Sequence, residues 1–200
     1  LVTPGAAKRQ ERQFGNHCDA IAFFPAAGNR SDAGLLCINN EYVLPALMLR
    51  GRSRLDRAAP AERREWYRTH PEAIAVMKAA QGASVVDVHR RRGKWEIRRG
   101  APPTRRITAE TPMDIHGPAR GSPLLRTAED PQGVRVRGTF ANCANGRTPW
   151  GTYLTCEENV DDYFGGTRTW FASATDEALR DAHRRFPAPE NSFYGWEHVG

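Results

Sequence analysis

The stretch from 142 to 159, NCANGRTPWGTYLTCEEN, carries the side chains best suited to chemistry. A turn punctuated by glycine and proline is predicted to lead into a short strand that ends in a thiol and two carboxyls, Cys156, Glu157 and Glu158. Two more carboxylates follow at positions 161 and 162. Because crowded carboxylates cost free energy unless cations neutralise them, this stretch predicts a metal cluster.

The mixture of sulfur and oxygen ligands bears on the identity of the metal. If the strand stays extended, Cys156 and Glu158 face one way and Glu157 the other. A thiolate beside a carboxylate suits iron or zinc, whereas carboxylates with amide oxygens suit calcium. The spacing matches no EF-hand, and a strand-end cysteine with exposed glutamates fits it as well.

Asn39, Asn40 and Glu41 form a second oxygen-rich group, directly after a predicted buried strand. A plain polar turn would give the same pattern.

The Arg147 guanidinium, with backbone N–H groups of the turn 145–149, could face an oxyanion, since a bidentate arginine fits phosphate. Such turns also occur without a function. A further polar group ahead of the first predicted strand is interpreted as a turn: Asn16, His17 and Asp19.

Composition and motifs exclude several function classes. The chain has 200 residues, 40% hydrophobic and 26% charged, as in a globular protein with one core, and lacks the roughly 18 consecutive apolar residues of a membrane span. Its net charge of +6 comes from scattered arginines without a nucleic-acid-binding motif, so no nucleic acid is predicted as a specific partner. P-loop, GxSxG and HExxH motifs are absent, which disfavours nucleotide-fold and serine-nucleophile functions.

The four cysteines show no CxxC spacing, which disfavours zinc-ribbon and thioredoxin-like sites. Cys18 and Cys37 lie in apolar, strand-like runs and are predicted to be core residues, although disulfides stay possible. The chain begins with Leu1, without a basic and apolar leader. We therefore expect a chain that has been processed, trimmed or cut from a longer one.

Short strands dominate the predicted elements. Strands are expected at 20–24, 35–38, 85–89, 94–97, 134–140, 152–155 and 169–172, with Gly93 in the turn of a hairpin. Proline at the start predicts helices at 60–68 and 72–81, the second closed by Gly82, and another helix is expected at 176–185. This pattern predicts a mainly β fold, a sandwich, barrel or propeller, with a helical insertion at about 55–82.

Four stretches together resemble the PhoX-type alkaline phosphatases, a β-propeller family: FGNHCDAIAFFP from Phe14, GLLCINNEY from Gly34, RRITAETPM from Arg105, and 138–159. The likeness runs in order from about residue 13 to the end, and TPWGTYLTCEEN is its most distinctive block. Family members are longer than this chain. The resemblance therefore implies a partial β-propeller, with 1–13 as a flexible lead-in and 14–200 as the incomplete N-terminal part of one propeller domain.

The resemblance also implies a function, the metal-dependent hydrolysis of phosphomonoesters. It implies an iron and calcium cluster at the propeller mouth and export by the twin-arginine route, which makes the protein periplasmic or secreted. We expect a monomer, and we expect the 200 residues alone to be inactive. The alternative is a non-catalytic, calcium-stabilised propeller that binds a partner, or an inactive fragment.

Site residues carry over from the resemblance position by position. Cys156 is implied to be the iron-binding thiolate, and Glu157 or Glu158 to be among the cluster carboxylates. Glu41 matches the acidic residue of the family's Asn-His-Glu-Tyr motif and is a candidate metal ligand. Asn40 stands where that motif usually has histidine. Asn40 and Arg147 are the candidate catalytic residues, Arg147 through contact with the substrate.

Overall fold

Antiparallel strand pairing organises this mainly β chain. The computed structural model describes residues 2–49, 55–165, 175–185 and 189–198. The strands are β1 Cys18–Pro25, β2 Ala33–Asn40, β3 Gly82–Arg91, β4 Lys94–Ile97, β5 Arg105–Ile107, β6 Pro112–Asp114, β7 Arg135–Arg137, β8 Asn142–Arg147 and β9 Tyr153–Glu157. The helices are α1 Ala6–Gln10, α2 Pro45–Met48, α3 Pro60–Arg68, α4 Pro71–Ala80 and α5 Glu177–Arg185. Short 3₁₀ helices occur at Leu55–Arg57, Pro123–Leu125, Val160–Asp162 and Trp196–His198.

The largest sheet contains β1 to β5. β2 pairs antiparallel with β1 on one side and with β3 on the other. The far edge of β3 is shared, since its last residues pair with β4 and its first residues with β5. Buried apolar side chains of β2 and β3, including Cys37, Ile38 and Val85, form part of the core here. The predicted strands at 20–24 and 35–38 and the hairpin of 85–89 with 94–97 are confirmed.

The helical insertion is also confirmed. α3 begins at Pro60 and α4 at Pro71, because proline lacks the N–H that the first turn of a helix leaves unused. α4 ends at Ala80, two residues before Gly82 starts β3 with a φ of +97°. The predicted helix at 176–185 forms as α5, and the Asp176 carboxylate accepts a hydrogen bond from the Ala178 N–H at 2.8 Å.

The chain divides into two compact units. The first comprises 1–9, 43–77 and 158–200, and the second comprises 10–42 and 78–157. In the first unit Leu49, Ala73 and Val76 are buried, and Trp66 packs against them. The second unit contains all the strands named above. The prediction of one propeller domain over 14–200, with a flexible lead-in over 1–13 where α1 lies, stays a prediction.

Two further antiparallel pairs, β6 with β7 and β8 with β9, follow the large sheet. The turn predicted at the start of the stretch from 142 is wrong in part, because Asn142–Arg147 is strand β8. The turn itself is confined to 148–152, where the Thr148 N–H donates to the Thr152 carbonyl at 3.0 Å. Of the strand predicted at 134–140, Arg135–Arg137 forms. The strand predicted at 169–172 lies outside the described residues.

Candidate metal site

Three potential metal ligands converge in the second unit. One ligand atom from each of Asp19, Glu41 and Cys143 lies within 4.8 Å of the other two. Asp19 is exposed, whereas Glu41 and Cys143 are half-buried. Two carboxylates and a thiol form a donor set that can bind a borderline metal through sulfur and a hard cation through oxygen. This cluster is therefore the candidate metal site among the described residues.

The pairing of β1 with β2 brings the two carboxylates together. Cys18 pairs with Asn40, so the start of β1 lies beside the end of β2. The register shifts between Cys18 and Ile21, and such irregularities re-aim side chains next to functional sites. The Glu41 N–H then donates to the His17 carbonyl at 2.9 Å. Asp19 and Glu41 are thus held near each other by main-chain contacts.

An aromatic stack borders the same strand ends. The His17 imidazole stacks on the Tyr42 ring, with centroids 3.8 Å apart and planes 19° from parallel. His17 has a φ of +41°, which is uncommon for a residue other than glycine and marks a backbone held by its surroundings. Because His17 directly precedes β1 and Tyr42 comes two residues after β2, the stack limits the freedom of both strand ends.

The β8–β9 hairpin supplies the thiol. Cys143 is the second residue of β8, and β8 packs against β1 and β2. The Asn39 side chain donates from Nδ2 to the Cys143 carbonyl at 2.8 Å. All four cysteines lie among the described residues and are thiols rather than disulfides. Cys37 is buried, as predicted. The prediction that Cys18 is a core residue is wrong, because the first two residues of β1 are exposed to solvent.

Cys156 and its neighbours occupy the end of β9. Thr155 and Glu157 face one side, where the Thr155 hydroxyl donates to Asn39 Oδ1 at 3.0 Å and Glu157 Oε1 accepts from the Thr139 hydroxyl at 2.7 Å. Strand alternation turns Cys156 to the opposite side, where it is exposed. Glu158 follows the strand, is exposed and belongs to the first unit.

Among the described residues of the second unit, the structure therefore brings Glu41 together with Asp19 and Cys143, and neither Cys156 nor Glu157 belongs to that group. The metal roles of Cys156, Glu157 and Glu158 stay predictions. Sequence reasoning passed over Asp19 and Cys143. Asp19 belongs to a group interpreted as a turn. The signal that could pair it with Glu41 is the presence of polar residues just before the first predicted strand and just after the second.

The two predicted catalytic residues have different environments. Asn40 is fully buried, and its Oδ1 accepts from the Ser84 hydroxyl at 2.6 Å. Its Nδ2 has no hydrogen-bond partner among the described residues. Arg147 is exposed, donates from Nη1 to the Phe23 carbonyl at 3.1 Å, and lies 5.7 Å from the centre of the Phe24 ring. Their roles in catalysis stay predictions, and Arg147 is the more accessible of the two.

Burial keeps the groups behind the cluster neutral. The pKa of Tyr153 is raised chiefly because burial penalises the phenolate. Its hydroxyl therefore remains a proton donor at neutral pH, and it donates to Asn39 Oδ1 at 2.8 Å. Burial likewise raises the pKa of the Cys37 thiol. Tyr153 and Cys37 therefore add no negative charge here at neutral pH.

Comparisons of the sequence and of the structure both match a phosphatase family. The family model for alkaline phosphatase PhoX matches residues 3–197. The solved structure of Pseudomonas fluorescens PhoX in complex with vanadate, a transition-state analogue, superimposes with a TM-score of 0.76 at 35% sequence identity, over 96% of this chain. The comparison with curated proteins found no match.

The match to P. fluorescens PhoX concerns a part of that protein, since this chain spans 30% of its length. Within that part the structural match covers 96% of this chain, and the family model covers residues 3–197. No described helix is both long and apolar enough to cross a membrane. On the extent of both matches, this chain belongs to the PhoX family of alkaline phosphatases.

Proposed function

We propose that the chain forms part of a metal-dependent phosphatase that hydrolyses phosphomonoesters. Membership of the PhoX family supports the class of reaction. The observation that carries the metal dependence is the convergence of Asp19, Glu41 and Cys143 within 4.8 Å. Three groups of this kind, drawn from three different strands or strand ends, would repel one another when ionised unless a cation lay between them.

The donor set fits both metals that the resemblance implies. The Cys143 thiolate would bind iron, while Asp19 and Glu41 offer the carboxylate oxygens that calcium prefers. Cys156, Glu157 and Glu158 are proposed as further ligands. When bound at these groups, iron and calcium would supply positive charge for the phosphoryl oxygens and lower the pKa of an attacking water. The protein's part is to hold the carboxylates and thiols in place and to orient the substrate.

Arg147 is the candidate for orienting the phosphate. A guanidinium has five N–H donors in a rigid fork. Among the described residues Arg147 donates one hydrogen bond, to the Phe23 carbonyl at 3.1 Å. This bond anchors the guanidinium to β1 while the rest of its fork stays exposed. We propose that the remaining N–H groups bind the phosphoryl oxygens and stabilise charge in the transition state.

The proposal extends to the setting of the enzyme. We propose a monomer that acts on small phosphomonoesters in the periplasm or outside the cell. Since P. fluorescens PhoX binds vanadate as a transition-state analogue, vanadate should inhibit this enzyme as well. We expect the 200 residues expressed by themselves to be inactive, because the chain spans 30% of the length of P. fluorescens PhoX.

Metal analysis of the full-length natural protein tests the mechanism. We expect the purified protein to contain iron and calcium and to hydrolyse p-nitrophenyl phosphate. Removal of both metals with a chelator should abolish hydrolysis, and adding them back should restore it. Hydrolysis that persists in protein free of both metals would rule the mechanism out. Bound calcium without any hydrolysis would favour the non-catalytic binding propeller.

A further inference from the structure

The side chain of Asn39 is fully buried, and it uses its whole hydrogen-bonding capacity. From Nδ2 it donates to the carbonyls of Cys143 at 2.8 Å and Ala144 at 3.2 Å. At Oδ1 it accepts from the Tyr153 hydroxyl at 2.8 Å and the Thr155 hydroxyl at 3.0 Å. A primary amide has two N–H donors and two carbonyl lone pairs, so each of the four is matched.

These four hydrogen bonds connect distant parts of the chain. Asn39 lies at the end of β2, where its backbone pairs with Ala83 of β3. Its four partners lie on the two strands of the β8–β9 hairpin, more than 100 residues away. One residue separates Asn39 from Glu41, and one of the four partners is the Cys143 backbone itself. Asn39 therefore joins the strand end that carries one candidate ligand to the strand that carries another.

The contacts continue to a predicted ligand, Glu157, at the open end of the hairpin. The Thr155 hydroxyl, which donates to Asn39, accepts from Asn142 Nδ2 at 3.1 Å. Asn142 Nδ2 also donates to the Thr139 hydroxyl at 2.9 Å, and that hydroxyl donates to Glu157 Oε1 at 2.7 Å. Donors and acceptors alternate consistently along this path. The network thus runs from the Glu157 carboxylate through Asn39 to the Cys143 carbonyl.

From this arrangement we propose that Asn39 is a positioning residue, which holds Cys143 beside Glu41 and Asp19 at the geometry that a cation requires. The inference rests on the proposed function, because it assumes that the three ligands bind metal. It adds a residue that binds neither metal nor substrate. Residues that orient metal ligands typically contribute about 10- to 100-fold to metal affinity.

An amide is required at this position for a chemical reason. The substitution Asn39→Asp would keep the shape of the side chain but would turn a carboxylate oxygen towards the carbonyls of Cys143 and Ala144, where Nδ2 now donates. The acceptors would repel, and the start of β8 would move away from the end of β2. The substitution Asn39→Ala would instead leave the Tyr153 hydroxyl and both carbonyls without their present partner in a buried place.

Cobalt titration of the metal-free, full-length protein tests the proposal. The wild-type protein, Asn39→Asp, Asn39→Ala and Tyr153→Phe would be titrated with Co²⁺ alone, following the thiolate-to-cobalt charge-transfer absorption. Thr104→Val is the matched control. Thr104→Val also removes a hydroxyl that anchors backbone, since Thr104 Oγ1 accepts from the Asp87 N–H at 3.0 Å and donates to the Arg98 carbonyl at 3.4 Å. Among the described residues, neither of these hydrogen bonds reaches the hairpin. Thermal unfolding would be recorded for each protein.

We expect Asn39→Asp and Asn39→Ala to bind Co²⁺ about 10- to 100-fold more weakly, with an altered charge-transfer band. Tyr153→Phe removes one of the four hydrogen bonds and should weaken binding about two- to tenfold, and it carries the test if the Asn39 variants do not fold. Thr104→Val should unfold at a lower temperature yet bind Co²⁺ as the wild type does.

Two results would overturn the proposal, and they are distinguishable. If folded Asn39 variants, or Tyr153→Phe in their place, bind Co²⁺ with wild-type affinity and spectrum, Asn39 has no positioning role although the proposed function stands. If the wild-type protein binds neither Co²⁺ nor its own metals and still hydrolyses p-nitrophenyl phosphate, the proposed function fails and the inference fails with it.

Discussion

The sulfur atoms of Cys143 and Cys156 lie on the same hairpin but in different surroundings. Cys143 is half-buried and lies within 4.8 Å of carboxylate oxygens from Asp19 and Glu41. Cys156 is exposed on β9, between two residues whose side chains face the other way. The sequence and the family resemblance drew attention to Cys156. At the level of single residues, the geometry adds Cys143 as a candidate ligand that lies close to two other candidate ligands.

Serine substitutions separate the two thiols. In the full-length protein Cys143→Ser should lower iron content and kcat by about tenfold or more, because a hydroxyl is a far poorer iron ligand than a thiolate. Cys156→Ser should do the same if both sulfurs bind metal. Metal content by mass spectrometry and p-nitrophenyl phosphate hydrolysis measure the effect. Cys18→Ser, which removes an exposed thiol from β1, is the control. Full iron content in Cys143→Ser would exclude it as a ligand.

At the scale of elements, the junction between α4 and β3 determines where the central strand of the large sheet begins. Gly82 has a φ of +97°, and a Cβ on it would lie 2.1 Å from the Ile107 carbonyl oxygen and 2.9 Å from that of Thr139. Glycine is therefore needed here for two reasons, the backbone conformation and the close approach of neighbouring backbone. Gly82 also pairs with Asn40, so the junction lies next to the strand end of the site.

Alanine substitution measures this requirement. Gly82→Ala should destabilise the protein by about 3 kcal/mol, since backbone strain and a main-chain clash add together. Gly93→Ala is matched in conformation, with a φ of +79°, but nothing lies within 4 Å of its Cβ. It should cost about 1 kcal/mol, from the strain alone. Urea unfolding gives both values, and equal losses for the two variants would contradict the clash.

At the scale of the molecule, a charged network contributes to the pH dependence of stability. Glu110 accepts a hydrogen bond from Arg137 at 2.8 Å and forms an ion pair with Lys78 at 2.9 Å. Burial by itself would raise the pKa of Glu110, but these two cations outweigh it and hold the pKa below its ordinary value. The network connects the end of α4, the segment before β6 and strand β7, all within the second unit.

Charge removal tests the sign of this effect. Because the folded pKa of Glu110 is lowered, its stabilisation is present above the ordinary glutamate range and is lost as the pH falls through the folded pKa. Glu110→Gln should therefore lower the free energy of unfolding by about 1 kcal/mol at pH 7 and by little at pH 3. Glu129→Gln, which removes a more exposed partner of Arg137, should cost less. A loss that does not depend on pH would refute the assignment.

Local chemistry in the sequence determined much of the fold. Proline at the first turn marked the starts of α3 and α4, and apolar runs bounded by turn residues marked β1, β2 and the β3–β4 hairpin. These features are predictable because they depend on neighbouring residues: proline has no N–H to lose at a helix start, and glycine alone tolerates certain turns. The distinctive stretch ending at Asn159 likewise pointed to the PhoX family, because a long run of matching residues needs no tertiary information to be specific.

The composition of the cluster was decided by tertiary structure. Asp19, Glu41 and Cys143 come from strands or strand ends that lie far apart in the sequence, and only strand pairing and the placement of the β8–β9 hairpin bring them together. A one-residue change of register would send any of these side chains to the other face. The register shift in β1 and the hydrogen bonds of Asn39 to the distant β8–β9 hairpin are features that spacing along the chain does not encode.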